Sequence, residues 1–254
     1  YQGIDFGDVR NTQIMGPVTL NSALGTVSLN RTVSNDDGNA LSVNSLVIGA
    51  ADSVHLLGNI LIEDDGAGLD MSGSNEIVLE KDVTIDTSVA GGDINLGPAA
   101  AGARPATFIS GDNALLLNAG VGDIALDEAD VRDIAFNGGD QLFLNGEITV
   151  DRSLGFGNLT EVRIADTAAL RTAMNIDFQG TPLLADSALT ASDLTVEADN
   201  ATFDLVGDGG TSPLDALTVR VGSTATFEDT VDVGDLMVYG PGGTATVNAN
   251  QTAA

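Results

Sequence analysis

Pairs of short apolar-x-apolar triplets, set nine residues apart, recur from one end of this chain to the other. Val18 and Leu20 reappear as Val27 and Leu29, Leu115 and Leu117 as Ile124 and Leu126, Leu194 and Val196 as Phe203 and Leu205, and Leu236 and Val238 as Ala245 and Val247. The residues between them are rich in Gly, Ala, Asn and Asp, as in LLLNAGVGDIAL at 115–126. Alternation at period two makes each triplet a half-buried strand. So short a unit cannot bury its apolar side alone, and repetition lets it bury that side against its neighbours.

Two geometries use such a unit. A hairpin would fold the second triplet back on the first, but tight hairpins favour two-residue Asn-Gly or Asp-Gly turns, and these connections are longer. In a parallel β-helix each strand pairs with its equivalent one coil away, and the connection only turns a corner. Small residues suit such corners. Composition agrees: 29 Asp against eight Glu, with Lys81 the only lysine, is a turn-rich rather than a helical bias. The absence of Trp and Cys weighs against immunoglobulin-like sandwiches. The expected fold is therefore all-β, a right-handed parallel β-helix (solenoid), with tandem β-sandwich domains as the alternative. Residues 1–254 form one domain in this reading. Coils of about 20 to 25 residues would number about ten to thirteen and stack into a body roughly 50 to 60 Å long. With aromatics at 4%, the core is expected to be aliphatic. Asp166 to Met174 carries a weak helical pattern and is read as a loop or a single turn.

Charge and composition exclude several functions. Thirty-seven acidic residues against nine basic ones give a net charge of −28, which repels a phosphate backbone, so nucleic acid is not a partner. No apolar run reaches the length of a membrane-spanning helix, and without cysteine there are neither disulfides nor thiolate metal sites.

The segments VTIDTSVAGGDINLG (83–97), NALLLNAGVGDIALDEADVRDIAFNGGDQLFLNGEITVD (113–151) and GDGGTSPLDALTVRVGSTATFEDTVDV (207–233) also carry a resemblance. They look like the β-strand repeats of giant bacterial surface proteins and are similar to the passenger repeats of filamentous-haemagglutinin-type adhesins. The resemblance implies a right-handed parallel β-helix displayed outside the cell, at the cell surface, and it transfers no catalytic residue. The expectation is an extracellular structural protein, a subunit or segment of a surface fibre, layer or adhesin, and not an enzyme. Strand-like sequence runs from Ile4 to Val247, so the expected partner is the protein itself as a head-to-tail homopolymer, or a longer parent chain. Extracellular polysaccharide or a host surface are further partners. The alternative is a carbohydrate-binding or polysaccharide-cleaving β-helix protein.

Few residues offer chemistry. Glu63-Asp64-Asp65-Gly66 and Asp70, like Asn35-Asp36-Asp37-Gly38-Asn39, gather hard oxygen ligands beside glycine, so Asp64, Asp65 and Asp70 are the candidate ligands for calcium, the one cofactor the residues suggest. Solvated corner turns are the competing reading. His55 is the lone histidine and is read as structural or superficial. Polysaccharide cleavage would need carboxylates and a base together, for which Asp64, Asp65 and Arg152 or Arg163 are the available set. Thr224-Ala225-Thr226 and Thr244-Ala245-Thr246 are two short Thr-x-Thr steps. Asn118 and Asn145, among other asparagines that follow strands, are expected to align in ladders between coils.

Overall fold

Valine, leucine and isoleucine at alternate positions leave one side of each strand apolar, and stacking closes those sides around a single core. The computed structural model describes residues 4–5, 13–29, 40–62, 66–97, 107–178, 180–186, 192–207, 213–240 and 244–247. They form one sheet of 21 strands, wound as a β-solenoid. Each pairing between strands is parallel, from Ile4–Asp5 on Val27–Ser28 to the last described strand, Thr244–Val247, on Thr224–Phe227. Antiparallel ribbons, and with them the sandwich alternative, are absent among the described residues.

The chain visits three faces in each coil. On the first, Val18, Leu46, Leu69, Ile94, Ile124, Leu142, Val162, Leu183, Val206 and Val231 pair in succession. On the second, the succession is Ile4, Val27, Val54, Ile77, Ile109, Ala129, Ile148, Leu170, Val196, Val219 and Val238. On the third, Ile60, Ile85, Leu117 and Phe136 are in register, and Phe203 pairs with Phe227. The nine-residue spacing is thus the step from one face to the next, as from Val18 to Val27 or from Leu115 to Ile124. Fully burying each such aliphatic side chain contributes about 1.5–3 kcal/mol.

The core departs from the aliphatic expectation on the third face. Phe136, Phe156, Phe178, Phe203 and Phe227 stack in one internal column, with ring centroids 5.5, 4.5, 5.4 and 4.8 Å apart and planes within 23° of parallel. All five are buried. Their separation follows the rung spacing of a parallel sheet, so rings at equivalent positions meet face over face. The segment read as a loop is also a strand, Thr167–Thr172. Ala168 and Leu170 point into the core, and the strand pairs with Glu147–Val150 on one side and with Asp193–Glu197 on the other. Ladders on both sides outweigh its weak helical pattern.

Candidate functional site

Aspartate and asparagine recur at the corners because their side chains take backbone N–H groups that turn away from the ladder. The Asp93 carboxylate accepts from Asp123 N at 2.9 Å, Asp123 from Gln141 N at 3.2 Å, Asp127 from Thr107 N at 3.0 Å, and Asp215 from Ser192 N at 3.0 Å. Asn59 Oδ1 does the same for Thr84 N at 2.8 Å. The asparagine ladders are mixed ones: Asn118 donates to Asp86 at 3.3 Å and Asn145 to Asp127 at 3.5 Å, each reaching from one coil to the next. Much of the acid excess is therefore structural.

Three aspartates are shifted from the ordinary carboxylate range, Asp82, Asp123 and Asp127. Asp82 is held low, first by the Ala114 backbone N–H at 2.9 Å and then by Arg132, whose Nη2 lies 2.6 Å away. Burial pushes Asp123 up, and the neighbouring carboxylates of Asp93, Asp140 and Glu161 push in the same direction. Asp127 is raised chiefly because it is buried, against the opposing pull of the Thr107 N–H.

The calcium candidates do not assemble into a described site. Asp64 and Asp65 lie outside the described residues, as does the 35–39 cluster. Asp70 closes its own turn, with Oδ1 accepting from Ser72 N at 2.9 Å and Ser72 Oγ at 2.6 Å. Among the described residues no three His, Asp or Glu side chains stand close enough together to hold a metal ion. His55 Nδ1 meets Glu80 Oε1 at 2.6 Å, an exposed contact between coils. Arg152 and Arg163 lie apart: Arg152 approaches Asp133 at 4.0 Å after the second face, whereas Arg163 sits on the first face, bound to Glu161 at 2.6 Å. The register puts Asp70, Asn95, Ala125, Phe143 and Arg163 in one column, so Asp70 and Arg163 are four rungs apart, about 19 Å. The two Thr-x-Thr steps do align, Thr224 with Thr244 and Thr226 with Thr246.

The most developed surface feature lies on the outside of the second face, where the register brings Arg171, Glu197, Arg220 and Tyr239 into one column. Arg171 bridges Glu147 at 2.9 Å and Glu197, and Arg220 binds the second oxygen of Glu197 at 2.6 Å. The Arg220 guanidinium carbon then lies 5.9 Å from the centre of the Tyr239 ring. Beside this column, where the second face turns towards the third, runs an open groove of about 810 Å³ lined by Thr172, Ala173, Ala198, Asp199, Val221, Gly222 and Gly240 with Glu197, Arg220 and Tyr239. A smaller depression of about 300 Å³ shares Thr172, Ala173 and Glu197 and extends it along the axis to Thr149. Small residues make the groove. A Cβ on Gly222 would stand 2.7 Å from Asp199 Oδ1.

Compared with protein-family models, with curated proteins and with solved structures, the chain gives no match. Its chemistry rests on its own residues. The groove draws on residues 172–173, 197–199, 220–222 and 239–240, which only the rung register brings together, so sequence reading missed it. The signal that was present is the Arg171, Glu197, Arg220 alternation at 26 and 23 residues, close to one coil.

Proposed function

We propose that the chain is an extracellular structural protein, a subunit or segment of a surface fibre, layer or adhesin, and not an enzyme. The observation that carries this reading is the unbroken parallel ladder from Ile4 to Val238 on one face. Main-chain hydrogen bonds aligned with the axis, over an aliphatic and phenylalanine core, make a stiff rod. Among the described residues the outermost strands, Ile4–Asp5 and Thr244–Val247, each pair on one side only. A strand edge of this kind is a template for a further coil, contributed by the same chain or by a second copy. The similarity of its repeats to adhesin passengers supports display outside the cell. A net charge of −28 keeps such rods apart in solution, and divalent ions would bridge them.

Electron microscopy of the purified chain over a range of concentrations, with fibre diffraction, tests this. Rods that lengthen end to end and diffract at an axial repeat of about 4.8 Å are expected. Compact particles of one size at every concentration would refute assembly by copies.

A further inference from the structure

We propose that the groove beside Tyr239 binds a linear, uncharged oligosaccharide. This goes beyond the structural role and does not depend on end-to-end assembly. The Tyr239 ring is 52% exposed, one of the few large apolar side chains left outside the core among the described residues. It is held rather than free: Arg220 lies against the ring at 5.9 Å, and its hydroxyl donates to Met237 Sδ at 3.3 Å. A fixed aromatic ring beside a groove offers the flat apolar surface onto which the C–H face of a pyranose stacks. Sugar hydroxyls then need acceptors and donors at the sides. Glu197, Asp199 and the Thr172 hydroxyl oxygen supply acceptors for hydroxyl groups that donate, and the exposed Arg220 guanidinium supplies the donors. Each acceptor is already oriented by a protein partner: Arg171 and Arg220 for Glu197, Ser223 Oγ at 2.7 Å for Asp199, and the Arg152 carbonyl, which accepts from Thr172 at 2.7 Å. Oriented partners of this kind reduce the ordering cost of binding.

Charge selects among ligands. Arg171 and Arg220 are balanced by Glu147 and Glu197, and Asp199 adds a further negative charge, so an anionic glycan meets repulsion with no unpaired cation among the described residues of the groove to offset it. The shape selects an extended chain. The groove, lined by the small residues Ala173, Ala198, Gly222 and Gly240, continues along the axis into the depression at Thr149.

The test is calorimetric titration of the intact chain with cellotetraose, N-acetylchitotetraose and maltotetraose, followed in parallel by tyrosine emission. The chain has no tryptophan and two tyrosines, Tyr1 and Tyr239, so the part of the emission change that Tyr239→Phe removes reports on this site. Saturable binding of at least one of the three is expected. Tyr239→Ala should weaken it about tenfold or more, while Tyr239→Phe, which keeps the ring, should stay within about threefold. Ala173→Gln, at an exposed floor position away from the core, should also weaken it, with an unchanged circular dichroism spectrum. No saturable heat with any of the three sugars overturns the proposal, and so does binding that is indifferent to both Tyr239→Ala and Ala173→Gln. Tighter binding of tetragalacturonate or tetralysine at the Tyr239-sensitive site overturns it as well.

Discussion

The coils before Leu126 and those after it solve the same packing problem differently. On the third face the earlier coils place Ile60, Ile85 and Leu117, whereas the later ones place Phe136, Phe156, Phe178, Phe203 and Phe227. Outside, the earlier coils join through single Asp and Asn side chains that accept backbone N–H groups, as at Asn59 and Asp93. The later coils add the continuous Glu147, Arg171, Glu197, Arg220 network. Coil length differs less sharply: on the second face the steps from Val27 to Ala129 run from 20 to 32 residues, and those from Ala129 to Val238 from 19 to 26. Where the strands keep their register although coil lengths vary, equivalent positions stack rings and charges one rung apart. Where one coil carries a long excursion, each rung relies on its own corner.

Breaking the phenylalanine column should have the largest effect. Phe178 stacks on Phe156 at 4.5 Å and on Phe203 at 5.4 Å, so Phe178→Ala should lower stability by about 3–5 kcal/mol in urea unfolding. Ile85→Val, the modest truncation at the matching place in the earlier coils, should cost about 0.5–1.5 kcal/mol.

Corners come next. A Cβ on Gly92 would stand 1.7 Å from the Ala67 carbonyl oxygen of the neighbouring coil, whereas one on Gly155 would meet nothing within 4 Å. Gly92→Ala should therefore destabilise by about 1–3 kcal/mol and Gly155→Ala should stay within about 0.5 kcal/mol of the parent.

Acid titration sharpens the picture at Asp127. Its carboxyl is raised by burial, so the folded state binds its proton before the unfolded state does. Stability from this group is lowest at neutral pH and rises as pH falls through the folded value towards the unfolded value near 3.9. Asp127→Asn should raise the urea midpoint at pH 7 and flatten the dependence over that window. Asp82, held low, has the opposite sign: its contribution is present at neutral pH and is lost as pH falls through its depressed folded value.

The smallest effect belongs to the outer network. Glu197 is bridged by two arginines but is partly exposed, so Glu197→Gln should cost about 0.2–1 kcal/mol, and the difference should shrink in high salt.

The parallel winding, though not its three faces, was legible because the triplet Val18-Thr19-Leu20 and its echo at Val27-Ser28-Leu29 report a corner directly, without knowledge of what pairs with what. The phenylalanine column was written in the sequence at intervals of 20, 22, 25 and 24 residues, but a composition of 4% aromatics hid it, since an average cannot show that five rings share one position. Thr167–Thr172 was misread because Ala, Leu and Arg favour helices in isolation, and only strands on both sides reverse that preference. The groove was least legible. Its residues are a coil apart from one another, and coil lengths vary, so no fixed spacing in the chain marks it.

Because the ladder bonds lie along the axis, a pull on the two ends of the rod strains them in line rather than sideways. They would give way singly, the outermost coil peeling off while the rest stays wound. A coil such as Val196 to Val219, 23 residues long, would then release about 80 Å of slack, a stepwise shock absorber built from the same contacts that keep the unloaded rod straight.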